Sequence, residues 1–150
     1  MAALSFDHRI PCSLDSAALH ARLVRALVDT DLAAFWPRGL NRVQAPTWVA
    51  NAPIAAEYRV PGLPAVHRAY RVSDVRPGRG FSYVPDAGHP FTGEVSVDCL
   101  DAPGEGSFLH WRGTYHTAPW RPERWFFRAW FEPRFFRALA DGVRTLAEEP

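Results

Sequence analysis

The order in which hydrophobic periodicity changes along the chain constrains its fold more than any single motif does. From Leu4 to Cys12 the residues alternate, with Leu4, Phe6, His8, Ile10 and Cys12 on one face and Ser5, Asp7 and Arg9 on the other, as in a half-buried strand. From Ser13 the pattern becomes helical, Leu14, Ala17, Ala18, Ala21, Val24 and Leu27/Val28 forming an apolar stripe. Asp29-Thr30-Asp31 offers a cap for a second short helix over Leu32–Trp36, which Pro37-Arg38-Gly39 stops. Alternation then returns and persists through Leu40–Ala45, Ile54–Val60, Ala65–Val75, Gly80–Val84, Glu94–Leu100 and Phe108–Thr117. Pro61-Gly62, Pro77-Gly78 and Ala102-Pro103-Gly104 supply turns between them. Successive strands at hairpin spacing, with no helix between, predict an antiparallel meander. The tail is helical again, with a seam of Phe135, Phe136, Leu139, Val143 and Leu146. Pro133 predicts that this helix is either kinked there or begins there.

A sheet this long must curve, and only the last helix is long enough to fill its concave side. The chain at this point resembles the START/polyketide-cyclase superfamily, also called SRPBCC. The resemblance is carried by Arg68-Ala69-Tyr70-Arg71-Val72, Gly80-Phe81-Ser82-Tyr83, His89-Pro90, Gly93-Glu94-Val95, Phe108-Leu109-His110-Trp111 and Tyr115, followed by the closing helix. It covers nearly the whole length and is strongest to small single-domain members of the polyketide cyclase or dehydratase kind. It implies an α+β helix-grip fold: a curved antiparallel sheet of about seven strands around a long C-terminal helix, with two short helices after the first strand and residues 1–150 as one domain. It also implies an internal cavity for a hydrophobic small molecule. The segment between Pro90 and Glu94 is shorter than usual for the superfamily, and Pro133 within the final helix is a second departure.

Strand parity assigns the inward faces. They comprise Ile54, Ala56, Tyr58 and Val60; Val66, Arg68, Tyr70 and Val72; Phe81 and Tyr83; Val95, Val97 and Cys99; and Leu109, Trp111, Gly113 and Tyr115. His110, Arg112 and His116 are then expected in solvent, and Glu94 and Asp98 on a solvated outer face. Polar groups on the apolar faces are the candidates for chemistry. Arg68, between Val66 and Tyr70, must be paired, meet a polar ligand, or lie outside through a slip of register at a bulge. His8 is either an acid/base group or a core histidine with one satisfied hydrogen bond. The four tyrosines can donate to a ligand oxygen or serve as wall residues with their hydroxyls at the rim. The expected catalytic set is therefore Arg68, His8 and Tyr70, and the expected lining is Tyr58, Tyr83, Trp111, Tyr115, Phe81 and Trp36. His89-Pro90, in a loop near the expected mouth, offers a further acid/base group. The run Trp125-Phe126-Phe127-Arg128-Ala129-Trp130-Phe131 is too apolar all round for a surface helix, which fits core and pocket packing, a homodimer contact or a membrane contact.

Composition narrows the function classes. A net charge of +1 gives no long-range field to attract nucleic acid or an anionic membrane, and the 17 basic residues are all arginine, which removes lysine Schiff-base chemistry. Cys12 and Cys99 stand among apolar neighbours without a metal-ligand spacing, so buried thiols are expected, with neither a metal site nor a disulfide. No phosphate-binding loop, dinucleotide fingerprint, zinc motif or nucleophile elbow is present, and no cofactor is expected. Residues Met1 to Asp7 lack the order of a signal peptide and no apolar run reaches membrane-spanning length, so a cytoplasmic protein is expected. With 6 Trp, 10 Phe and 4 Tyr, there are enough large rings to line a cavity as well as fill a core. Two functions follow from the resemblance: a cofactor-independent cyclase or dehydratase acting on a polyketide-like or aromatic intermediate in natural-product biosynthesis, or a non-catalytic carrier or sensor of a lipid or aromatic ligand. An interaction protein working through its aromatic C-terminal segment is a third.

Overall fold

The computed structural model describes residues 2–28, 40–44, 49–58 and 62–148. Its strands are β1 (Ala2–Cys12), β2 (Leu40–Gln44), β3 (Pro53–Tyr58), β4 (Val66–Arg76), β5 (Gly80–Pro85), β6 (Thr92–Asp101) and β7 (Ser107–Thr117). Alternation thus locates every strand to within one or two residues of its ends. All neighbours are antiparallel, in one seven-stranded sheet of order β1-β7-β6-β5-β4-β3-β2. A bulge between Val72 and Asp74 shifts the β4–β5 register, which adds local twist and bends the sheet.

Helix α1 (Ser16–Val28) starts three residues later than the periodicity predicts. Asp15 is the reason: its carboxylate accepts the Ala18 N–H at 2.7 Å, as an N-cap does. The buried stripe is also rotated from expectation. Leu19, Leu23 and Ala26 are buried, whereas Ala17 and Ala21 face out. Leucine has several times the apolar area of alanine, so the helix turns its leucines toward the sheet and α3. The expected second short helix, Leu32–Trp36, lies outside the described residues.

The chain is continuously helical from α2 (Pro122–Phe126), through a π-helical turn (Phe127–Phe131), to α3 (Glu132–Glu148). Pro133 therefore stands in the first turn of α3, which follows the π turn without a break in the helix. An α-helical Pro133 would lack its N–H and clash with a carbonyl one turn back. The π turn widens the backbone there, the Glu132 N–H reaching the Phe127 carbonyl five residues earlier. From α3, Phe135, Phe136, Leu139, Val143 and Leu146 enter the core, the expected seam. They meet Val95, Val97, Leu109 and Trp111 of the sheet, with Leu19 and Leu23 of α1 closing one end. This is the helix-grip fold.

The outer face of the sheet departs from the sequence reading. His110 and Asp98 point outward as parity requires, yet they are only 6 % and 4 % exposed. Neighbouring charged side chains cover them. His110 Nε2 lies 2.8 Å from Asp7 Oδ1, and Asp98 Oδ1 accepts Arg76 Nε at 2.8 Å. Arg76 also donates to Asp74, to Ser82 Oγ and to the Phe81 carbonyl, so one guanidinium ties β4, β5 and β6 together. Cys12 and Cys99 are both unbridged; burial pushes the Cys99 thiol up to about 12, which leaves it inert at neutral pH.

Candidate functional site

Between the concave face of the sheet and the α2–α3 helix lies a cavity of about 290 Å³, near the lower end of the roughly 300–1,000 Å³ usual for small-molecule sites. Its walls are rings. Tyr70 meets Tyr83 edge-on at 5.5 Å, Tyr83 meets Trp111 at 6.2 Å, and Trp111 meets Phe135 at 5.4 Å. Tyr115 and Phe91 stack at 5.3 Å, both against Phe127. On the helical side Phe127, Phe131 and Phe135 form a column, adjacent rings 5.5 and 5.2 Å apart and nearly parallel. The π turn lies within this column, so the bulge that accommodates Pro133 also shapes the wall.

The polar groups of the cavity come from β4 and the β5–β6 loop, with Glu123 of α2 also in the lining. Arg68 lines the cavity, its Nη1 3.5 Å from the His67 carbonyl, and no carboxylate among the described residues pairs with it. His89, in the loop before β6, is fixed from both sides. Its Nδ1 accepts the Phe91 backbone N–H at 3.0 Å, which obliges the neutral ring to carry its proton on Nε2. Nε2–H then donates to Tyr70 Oη at 3.2 Å, so the phenolic proton points away from the imidazole. Burial, and secondarily the positive charge of Arg68, lower the His89 pKa to about 4, so the ring is neutral at physiological pH.

This arrangement has a consequence for acid stability. The His89 pKa in the folded state lies below its ordinary value of 6.5, so the unfolded chain takes up the proton first as pH falls. Stability is unaffected above pH 6.5 and lost between pH 6.5 and about 4, by roughly 2 kcal/mol once solvent screening at the mouth is allowed for. His89→Gln should flatten that limb in urea unfolding followed from pH 7 to 4. Parallel curves for variant and parent would mean that His89 titrates normally.

Of the residues expected from sequence, Arg68, Tyr70, Tyr83, Trp111 and Tyr115 lie in the cavity wall. Phe81 does not: it is buried behind the wall, 6.2 Å from Tyr83. His8 is not in the lining either. It stacks on Phe136 at 3.6 Å, with Nε2 3.7 Å from the Glu132 carboxylate, and so braces the start of α3. Trp36 and the side chain of Tyr58 lie outside the described residues. The lining also includes Phe6, Phe135 and Phe136, read from sequence only as inward or seam residues, Phe127 and Phe131, from the run for which pocket packing was one reading, and Phe91, which the sequence did not single out. The signal for Phe6 was its inward parity on β1, and for the four helical rings the phenylalanine density of residues 126–136; Phe91, in the loop before β6, had no local signal.

No family model and no curated protein matches the sequence. Solved structures match it in fold, which is that of the Bet v1-like, SRPBCC proteins. BexL, a di-domain ARO/CYC from the BE-7585A biosynthetic pathway, superposes with a TM-score of 0.74 at 13% identity over 99% of this chain, which spans 51% of that protein. Truncated norcoclaurine synthase from Thalictrum flavum gives 0.70 at 12% identity, covering 99% of this chain and 96% of that one. Ara h 8.0201 gives 0.65 at 13% identity over 95% and 98%.

Proposed function

We propose that the chain binds a hydrophobic, ring-bearing small molecule in this cavity and acts on it as a cofactor-independent cyclase or dehydratase. The observation that carries the reading is the Arg68–His89–Tyr70 group in a chamber walled mostly by aromatic rings. A carrier needs only the apolar wall, whereas here a guanidinium and an oriented phenol supply hydrogen-bond donors to one region. A substrate carbonyl placed there would accept from Tyr70 Oη and Arg68, and the same donors would stabilise the alkoxide that develops on its oxygen as an enol carbon of the same substrate attacks it, the enol proton passing to water. Both ring nitrogens of His89 are engaged, so its role is to hold Tyr70, not to remove a proton from substrate. The rings confine the chain of the substrate and bring its reacting carbons together. The fold shared with BexL and norcoclaurine synthase supports this reading.

Paired probes test it. 2-Naphthoate and 2-methylnaphthalene share a bicyclic body and differ in one anionic group. Arg68→Met should weaken naphthoate binding about tenfold, leave methylnaphthalene unchanged, and keep or raise stability, because an unpaired cation leaves an apolar wall. Equal losses for both probes would remove Arg68 from ligand recognition. Native mass spectrometry of protein from its own host, followed by incubation with the retained compound, decides between enzyme and carrier: a product lighter by one water, or a cyclised isomer, is the enzyme's signature, and an unchanged compound the carrier's.

A further inference from the structure

The outer surface of the helical segment that bounds the cavity mouth is the least expected part of the molecule. Trp120 and Trp125 are 76 % and 78 % exposed, and Phe126 and Leu63 beside them are also open to solvent. Lone exposed apolar residues are ordinary, but two tryptophans so exposed within six residues are not. Leu63 and Phe126 also line the cavity, so the patch is continuous with its rim.

The charges around this patch are predominantly positive, five arginines against two glutamates from 118 to 137. The exposed charged residues from 118 to 137 are Arg121, Arg128, Arg134 and Arg137. The two acids, Glu123 and Glu132, are half-buried, and each is paired with an arginine, Arg121 and Arg128 respectively. Arg121 lies over the Trp120 ring at 5.4 Å and Arg134 over Trp130 at 4.7 Å. In both pairs the guanidinium itself lies over the aromatic face, so that ring and cation share one surface position.

We infer that this face docks on an anionic bilayer surface, with Trp120, Trp125 and Phe126 at headgroup depth and the arginines against lipid phosphates. Tryptophan is the side chain most at home at that interface, with an apolar body and one polar tip, and arginine pairs with phosphate in a bidentate fork. The shallow aromatic face with a basic margin is the pattern of a helix that lies on a membrane. The described helices include none long and apolar enough to cross one, so the contact is peripheral. Docking there brings the cavity mouth against the bilayer, and an apolar ligand passes between lipid and cavity without crossing water.

Co-sedimentation of the whole chain with vesicles tests the inference without any cavity ligand. With phosphatidylcholine–phosphatidylglycerol vesicles at low salt the protein should pellet, and with phosphatidylcholine alone it should remain largely in the supernatant. A Trp120→Ser/Trp125→Ser variant should bind at least about tenfold more weakly, and Arg134→Gln about fivefold more weakly with the difference lost at high salt. Arg112→Gln, on the outer face of the sheet, should bind as the parent does. The substituted side chains are largely exposed, so thermal unfolding should be unchanged and confirms the fold. Absence of binding to anionic vesicles, or equal binding by the tryptophan variant, overturns the inference. So does sedimentation velocity showing a dimer that these substitutions dissociate, because the face would then be an interface between two copies. Since the probe is the vesicle alone, these outcomes are independent of whether the cavity is catalytic.

Discussion

Gly93→Ala is expected to destabilise the fold by about 4 kcal/mol and to disorder the cavity mouth with it. Gly93 has φ +129°, a backbone conformation that residues with a Cβ rarely adopt. The added methyl would meet the Thr114 carbonyl oxygen at 2.0 Å, a backbone atom of the paired strand that cannot swing aside. Strain and overlap each cost on the order of 1–3 kcal/mol, and here they add. Gly93 pairs with Tyr115 and stands two residues after Phe91, whose N–H fixes His89. Moving β6 to relieve the overlap therefore moves Tyr115, Phe91 and the imidazole together. Urea unfolding of the variant gives the stability change, and the acid limb of His89 reports the mouth. A loss below about 1 kcal/mol would mean that the strand end relaxes freely.

Asp98→Ala should cost about 3 kcal/mol, although Asp98 touches no part of the cavity. Its side chain is 6 % exposed and accepts from Arg76, with Arg79 at 3.8 Å beyond. Deleting the carboxylate leaves the Arg76 guanidinium, held among β4, β5 and β6, without its most buried counter-ion. The second half of the experiment separates charge from shape. Adding Arg76→Met to an Asp98→Leu background should recover most of the loss, because an apolar pair of similar volume needs no desolvated charge. A double variant as unstable as the single would show that the geometry of the bulge, not the ion pair, carries the stability.

The architecture was legible because strand alternation survives wherever one face is buried, and it placed Arg68 and Tyr70 on the inward face despite the bulge farther along β4. The reading failed where burial comes from other polar groups. Asp98 and His110 have the right parity for solvent, and only the long side chains of neighbouring strands, reaching across them in three dimensions, remove it. Helical phase was misread in α1 because a stripe of alanines counted equally with leucines. Pro133 carried an ambiguity that composition could not resolve, since the π turn which absorbs it depends on backbone hydrogen bonds. Within the site, His8 looked equivalent to the other inward residues, but its place beneath α3 follows from where the helix crosses the sheet. His89 had only its loop position to mark it. Its pairing with Tyr70 joins residues 19 apart, on the β5–β6 loop and on β4, and no local pattern encodes that.

The phenylalanine column on the helical wall bears on how the site would release what it holds. Each of these rings has only two side-chain torsions, already fixed by the rings above and below it, so a ligand entering beside them freezes little that was loose. A planar ring can stack on the face of such a column more closely than a puckered, saturated one. If the chemistry flattens its substrate, as closing and dehydrating a ring does, the walls favour what they have made. Turnover would then be limited by departure of the product, and the open rim at Leu63 and Phe126 would set the pace of the catalytic cycle.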